Sequence, residues 1–171
     1  MQEPLLRLNG VNENLQIRIE TVLQGADVPQ RVEESLLALF PDFPVPIHPE
    51  EPKLGQASDT VWRAEGVSLG AFLKLLHEQR ILDTALDSMT AAFDGSKTHF
   101  ALLRQAAVVG KVAFPLPGEH PLGGVITVHL EGENLGDWLE AATWHKGRDA
   151  VPRGIKDENA MGADGEAVTW V

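Results

Sequence analysis

The chain has 171 residues, of which 43% are hydrophobic, and this content is enough for the core of one domain. It carries 25 acidic residues against 14 lysines and arginines, so its formal net charge is −11. It has no cysteine, which excludes a disulfide framework, a thiolate nucleophile and a zinc ribbon. No apolar run approaches ~20 residues, and acidic residues rather than a basic segment stand at the start. We therefore expect no membrane span and no signal peptide, and we predict a cytoplasmic protein.

The first part of the chain alternates between the hydrophobic periods of strands and helices. Residues 15–20 alternate between apolar and polar types, which predicts a half-buried strand. A helix is predicted from Asp27 to Pro41, because an acidic residue favours a helix start and proline ends a helix. The proline-rich segment 44–58 predicts a loop, and residues 59–64 predict the second strand.

One long helix is predicted in the middle of the chain. Apolar residues spaced by three and four follow Ser68, the predicted N-cap, as far as Phe93. Gln79 interrupts this apolar stripe. A buried amide costs about 1–3 kcal/mol unless it is hydrogen-bonded, so Gln79 either bonds a backbone edge of the sheet or contacts a ligand.

The remaining elements follow the turn after that helix. The predicted strands cover residues 97–103, 108–115 and 124–131. A tight one-turn connection is predicted at RQAA, between the first two of these strands, and a short helix is predicted over residues 134–142.

These elements predict the α+β fold class, with a mixed or antiparallel sheet and helices packed on one face. We expect a single α+β domain over residues 15–147. Residues 1–14 would form an N-terminal extension and residues 148–171 a C-terminal extension, whose last residues VTWV could dock as an edge strand. The predicted core consists of Ile17, Ile19, Leu36, Phe40, Phe72, Leu76, Leu82, Leu86, Phe100, Val112, Ile126, Val128 and Trp138.

Catalytic and metal-binding signatures are missing from the sequence. It contains no glycine-rich nucleotide loop, no HExxH and no GxSxG. Its six histidines share no ligand spacing. Asp83 and Asp87 lie four residues apart on one helical face, which is typical of a solvated face and also compatible with paired acid–base carboxylates. We therefore expect no enzyme, no catalytic residues, no cofactor and no metal.

Five blocks of sequence resemble a known family. They cover residues 17–42, 62–85 and 102–114, followed by PLGGVITVHLEG and NLGDWLEAAT. The third block, LLRQAAVVGKVAF, is similar to a family stretch that typically has L-N-K-Q-A-A-x-V-G-K-V-N-F. Leu103 and Ala113 depart from it, because each stands where the family usually has asparagine. On these blocks the chain resembles an archaeal family of uncharacterised proteins, UPF group two-hundred-and-one, catalogued as predicted RNA-binding proteins.

The resemblance implies a fold similar to the ribosomal protein that binds 5S ribosomal RNA, and a non-catalytic protein that recognises structured RNA. Polar and basic side chains around the third block are of the types that hold phosphates and base edges. The predicted RNA contacts are Arg80, Lys97, Arg104, Gln105 and Lys111. For Arg104 and Gln105 the alternative is that they satisfy loop carbonyls. Lys111 is predicted to point away from the core, since Val112 points into it.

The acidic charge leaves two function classes open. A net charge of −11 gives a repulsive average field toward nucleic acid. The excess acid indicates either an adaptation to a salt-rich cytoplasm or a protein that does not bind RNA. A local basic patch can still bind structured RNA, because screening confines each charge to about 8–10 Å. The alternative is a regulatory or assembly module that acts through a protein partner without nucleic acid. The resemblance links such a module to nucleotide-kinase-like proteins. Neither DNA nor a membrane is an expected partner.

Overall fold

Four strands and six helices make up the part of the chain that the computed structural model describes, residues 8–47, 60–152 and 154–155. The strands are β1 (Gln16–Leu23), β2 (Thr60–Glu65), β3 (Lys97–Leu103) and β4 (Val125–Glu131). The helices are α1 (Pro29–Leu39), α2 (Gly70–Glu78), α3 (Leu82–Thr90), α4 (Arg104–Val108), α5 (Leu135–Ala142) and α6 (Gly147–Ala150). None of these helices has the length and hydropathy that crossing a membrane requires.

The strands form one antiparallel sheet in the order β2-β1-β4-β3. Ile19 in β1 lies opposite Ala64 in β2 and Val128 in β4, and Val128 in turn lies opposite Phe100 in β3. This row of buried residues shows how the period of two in each strand adds up to one apolar face. The predicted α+β fold class with an antiparallel sheet is confirmed.

The core lies between the apolar face of the sheet and the helices. Every residue of the predicted core is buried. Phe72 of α2 stands at its centre, with ring centroids 5.9 Å from Phe40 and 5.9 Å from Phe100. Burying a large apolar side chain contributes about 1.5–3 kcal/mol, so this face of the sheet supplies much of the driving force for folding.

The predicted long helix is wrong: it is broken between α2 and α3, at Gln79 and Arg80. Arg80 adopts a positive φ of 58°. Its N–H donates to the carbonyl of His77 at 3.1 Å, and the N–H of Ile81 donates to the carbonyl of Leu76 at 3.1 Å. These two bonds form the Schellman arrangement that ends a helix. The sequence LHEQRILD has no glycine or proline to announce the break.

The strand predicted over residues 108–115 is also wrong. The preceding RQAA forms the one-turn helix α4, as predicted, and the chain then continues without regular structure. The N–H of Leu103 donates to the carbonyl of Ala113 at 2.9 Å, while the N–H of Lys111 returns to the carbonyl of Ala106 at 3.0 Å. The segment thus touches the end of β3 without forming a ladder along it.

Residues on both sides of 15–147 pack onto this domain. Before it, the indole Nε1 of Trp138 donates to Glu13 Oε1 at 3.2 Å, and the N–H of Leu69 donates to the carbonyl of Asn9 at 2.8 Å. After it, Arg148 is buried and its Nη1 donates to the carbonyl of Glu140 at 2.9 Å. The edge strand predicted at VTWV lies outside the described residues.

Candidate nucleic-acid interface

Within residues 8–47, 60–152 and 154–155, the residues on the second face of the sheet are exposed or only partly buried. We call this surface the open face; it consists of the even-numbered residues of β1 and the odd-numbered residues of β2, β3 and β4. None of these residues is buried, whereas most of their neighbours along each strand are. Alternation along four antiparallel strands therefore presents a polar surface opposite the core.

A row of basic and aromatic side chains crosses the open face. Arg18 lies opposite Glu65 on one side and His129 on the other, and His129 lies opposite His99. The two imidazole rings have centroids 5.9 Å apart and are tilted by 32°. The antiparallel register thus places an exposed ring, a partly buried ring and a guanidinium side by side on three neighbouring strands.

Glu20 fixes the orientation of this row. Its Oε1 lies 2.7 Å from Nε2 of His129, and its Oε2 accepts a bond from Nε of Arg63 at 2.8 Å. Partial burial would raise the pKa of Glu20, but the hydrogen bonds from Arg63 and His129 outweigh it and hold that pKa below the ordinary value. Glu20 is therefore an ionised acceptor that positions one imidazole.

An open cleft of about 870 Å³ lies at one end of this face. Its charged and titratable lining residues are Arg18, Glu65, Asp94, Lys97, His99, His129 and Glu131. Backbone N–H groups of Ser96 and Lys97 donate to Asp94 and lower the pKa of its carboxyl. Among its lysine, arginine and carboxylate side chains the lining carries two cations against three carboxylates, so this cleft has about the charge that the chain's average composition implies and is not a basic patch.

The five residues predicted to contact RNA do not form one cluster. Lys97 is exposed and lines the cleft. Arg104 follows the other end of β3, about 20 Å away at ~3.4 Å per residue. Arg80, Gln105 and Lys111 are exposed outside the cleft lining. The predicted orientation of Lys111 fits its exposure beside the buried Val112, although the strand that motivated it is absent.

Arg104 has an internal role. It is 5% exposed, and its Nη2 donates to Asp27 Oδ2 at 2.9 Å. Nη1 donates to Thr21 Oγ1 and to the carbonyl of Val22, both at 3.1 Å, and Nε donates to the carbonyl of Gly123 at 2.6 Å. With these bonds made in a buried position, Arg104 satisfies loop carbonyls and a carboxylate and is not available to a phosphate.

Glycine at position 124 makes room for that guanidinium. A Cβ built there would collide with the end of the Arg104 side chain, and Gly124 has a φ of +77°. Any other residue would be disfavoured both by the backbone conformation and by the lost space. The glycine at position 124 is thus explained by Arg104.

Gln79 bonds backbone, as in the first of its two predicted roles, but that backbone is not an edge of the sheet. Its Nε2 donates to the carbonyl of Val112 at 3.0 Å, and its Oε1 accepts the N–H of Val112 at 2.7 Å. The partner is the irregular segment after α4 rather than a strand. Arg80 follows Gln79 in the chain, and Lys111 precedes Val112. The bonds between Gln79 and Val112 therefore bring two exposed cations to the same corner of the molecule.

Asp83 is not simply part of a solvated face. Its Oδ1 accepts a bond from Nη2 of Arg148 at 2.8 Å and lies 3.0 Å from Nε2 of His145. Partial burial would raise the pKa of Asp83, but these hydrogen bonds outweigh it and lower that pKa. The contacts join α6 to α3. Within residues 8–47, 60–152 and 154–155, no group of three or more histidines and carboxylates is arranged to hold a metal ion.

The row formed by Arg18, His99 and His129 was not predicted from the sequence. Each stands at a polar position of a predicted strand, and that alternation was the available signal. What brings the three together is the pairing of β1, β4 and β3, and register between distant strands is not written in any local pattern.

The chain is similar in sequence to several UPF0201 proteins. No family model matches the chain. The UPF0201 protein of Metallosphaera sedula is 37% identical over 79 residues, which cover 44% of this chain and 55% of that protein. The UPF0201 protein of Sulfolobus acidocaldarius is 39% identical over 87 residues, 47% of this chain and 59% of that protein. The matched part of the chain thus spans little more than half the length of these curated relatives.

Solved structures agree with these relatives over a larger share of the fold. The crystal structure of an uncharacterised UPF0201 protein has a TM-score of 0.60 and 25% identity, and the match covers 77% of this chain and 95% of that one. The UPF0201 protein of Methanococcus jannaschii, 22% identical, shares the fold with a TM-score of 0.61 over 77% of this chain and 96% of that one. In sequence and in fold, the chain is thus similar to proteins of the UPF0201 family.

Proposed function

We propose that the protein binds RNA through the open face of its sheet, at the cleft that Arg18, Lys97, His99 and His129 line. The observation that carries the proposal is the row of guanidinium and imidazole groups on three neighbouring strands. Arginine and histidine side chains stack on bases, and arginine and lysine contact phosphates. RNA binding is also the function that the family resemblance implies.

The cleft is close to neutral in charge without being basic. Its lining has an excess of one carboxylate over its cations, which is the balance expected from the chain's net charge of −11. At physiological salt, the interaction between exposed charges more than about 8 Å apart is largely screened. The charges close to the cleft therefore govern the approach of a phosphate. Few phosphate contacts are available, and binding of modest affinity is the expected result.

Three of the predicted contacts define a second location for RNA. Arg80 and Lys111 lie near the bonded pair of Gln79 and Val112, and Gln105 is exposed in α4. These three residues stay predicted RNA contacts, at a corner that would extend the binding surface. Arg104 is left out of the proposed interface because its guanidinium is buried among Asp27, Thr21 and loop carbonyls.

A titration with fluorescently labelled RNA tests the proposal. The RNA carries both a hairpin and a single-stranded tail, and anisotropy is measured at low salt. Lys97→Ala should weaken binding and lower the slope of log K against log salt by about 0.7–0.9. Lys74→Ala is the matched control, because Lys74 has a 76% exposed side chain in α2 and does not line the cleft.

Two results would overturn this assignment. If wild-type protein does not bind the RNA at low salt, the proposed function is wrong. If Arg80→Ala and Lys111→Ala weaken binding while Lys97→Ala does not, RNA binds at the corner rather than at the open face.

A protein partner is the second candidate function, favoured by the other end of the open face. Val22 and Val61 lie opposite each other there and are 42% and 48% exposed. Exposed apolar residues that lie next to each other can form part of a protein contact. Cross-linking mass spectrometry in a native extract tests this candidate: a specific cross-linked partner should be lost with Val61→Lys and kept with Lys74→Ala.

A further inference from the structure

We infer that the cleft takes single-stranded RNA, whose bases stack on the imidazoles of His99 and His129. This inference rests on the proposed function and narrows it to one class of RNA. It predicts that a double helix, whose bases are stacked inside the duplex, is a poor ligand for the open face.

The two imidazole rings are placed side by side, as stacking of two bases requires. His99 and His129 lie directly opposite each other on β3 and β4, with ring centroids 5.9 Å apart. The rings are tilted by 32° and both lie on the open face of the sheet. Two neighbouring rings on a flat sheet can serve as platforms for two bases, which is how antiparallel sheets bind unpaired nucleotides in general.

One of the two rings, the imidazole of His129, is held in place before any ligand binds. Glu20 lies 2.7 Å from Nε2 of His129, and Arg63 in turn donates to Glu20 at 2.8 Å. The side chain of His129 is still 30% exposed. A fixed ring loses little conformational entropy when a base stacks on it, which raises affinity without a new charge.

The charge of the cleft favours a single strand over a duplex. A duplex offers two lines of phosphates, and the cleft would meet them with Glu65, Asp94 and Glu131 as well as its two cations. Stacking on a neutral base does not depend on this balance, and base–aromatic stacking supports single-strand binding generally. A cleft poor in net positive charge but equipped with two rings therefore favours bases over phosphates.

Arg18 completes the row beside His129. Its Nε is buried and has no hydrogen-bond partner among the residues that the structure describes. Buried donors are nearly always paired. A small rotation of this side chain toward the cleft would let a base carbonyl or phosphate oxygen accept that hydrogen, and a bound nucleotide would supply the acceptor.

Fluorescence anisotropy with two RNA probes tests the inference. The probes are a short single strand of mixed sequence and the duplex that it forms with its complement. Wild-type protein should bind the single strand more tightly than the duplex. His99→Ala should weaken single-strand binding about fivefold or more, the lower end of what one stacked base contributes. His99→Phe keeps a ring without a titratable nitrogen and should stay within about twofold of wild type, and thermal melts confirm that each variant folds.

The outcomes separate the inference from the proposed function. Equal binding of both probes, unchanged by His99→Ala, would overturn single-strand stacking and leave RNA binding intact. The same loss for His99→Phe as for His99→Ala would also overturn stacking, because the ring alone would then not suffice. If neither probe binds at low salt, the inference and the proposed function are both wrong.

Discussion

Arg104, 77 residues after Asp27 in the chain, donates its Nη2–H to the Asp27 carboxylate at 2.9 Å from a position that is 5% exposed. The same guanidinium bonds the end of β1 and the loop before β4, at the carbonyls of Val22 and Gly123. One side chain thus fastens three separate stretches of chain together. A residue that the sequence presents as an RNA contact is a structural centre of the domain.

We predict that Arg104→Ala destabilises the protein by about 3–5 kcal/mol, because removing one partner of a buried ion pair leaves the other charge and several carbonyls unpaired. Chemical denaturation measures the change in the free energy of unfolding. The control is Arg63→Ala: the Arg63 side chain is 55% exposed in its pair with Glu20, so its loss should cost about 1 kcal/mol or less. Equal effects of the two variants would refute the internal role of Arg104.

Gln79→Ala should destabilise the protein by about 1–3 kcal/mol. The change removes both side-chain bonds to Val112 and leaves the N–H and carbonyl of a buried residue without these partners. Urea denaturation measures the effect. Gln105→Ala is the matched control, since Gln105 is an exposed glutamine in α4 and its loss should stay within about 0.5 kcal/mol. A negligible effect of Gln79→Ala would mean that its reciprocal bonds do not stabilise the corner.

Replacing Arg80 by glycine should stabilise the protein by about 0.5–1 kcal/mol. Arg80 holds a φ of 58°, where a side chain costs about 1–2 kcal/mol and glycine costs less, although glycine loses more entropy on folding. The midpoint of urea unfolding should rise with an unchanged m-value. Lys74→Gly, in the interior of α2, should instead lose about 1 kcal/mol. A loss of stability in Arg80→Gly would show that the arginine side chain makes a stabilising contact.

The contacts of Asp83 predict a dependence of stability on pH. Hydrogen bonds from Arg148 and His145 outweigh burial and lower the pKa of Asp83 in the folded protein. A carboxyl with a lowered folded-state pKa adds stability above its unfolded pKa of about 3.9, and this stability disappears as the pH falls through the folded value. The free energy of unfolding of Asp83→Asn should therefore lie below that of wild type by a constant amount above about pH 5, and this difference should shrink below about pH 4.

Unfolding free energies measured from neutral to acidic pH test this expectation. Thr84→Asn, at the neighbouring exposed position of α3, controls for the added amide and should follow wild type in parallel. Parallel curves for Asp83→Asn as well would mean that Asp83 gains nothing from Arg148 and His145 in the folded state.

Local patterns in the sequence were enough for most of the fold. Alternation at Ile17 and Ile19 predicted β1, and the range 97–103 predicted for β3 agrees with the structure residue by residue. Every residue of the predicted core is buried, because apolar side chains at the period of a helix or strand lie on one face, which packs into the core. The polar start of RQAA does not suit a buried strand, which predicted a tight one-turn connection where the structure has α4.

The break between α2 and α3 and the open-face row were decided by tertiary structure alone. Gln79 leaves the helical stripe because the backbone of Val112, 33 residues later, offers it two hydrogen bonds, and no residue near the break signals this locally. His99 and His129 meet because β3 and β4 pair in one register, although 30 residues separate them. Local propensity fixes strands, helices and which residues are apolar, but hydrogen-bond partners and neighbouring side chains on a sheet depend on contacts between segments far apart in the chain.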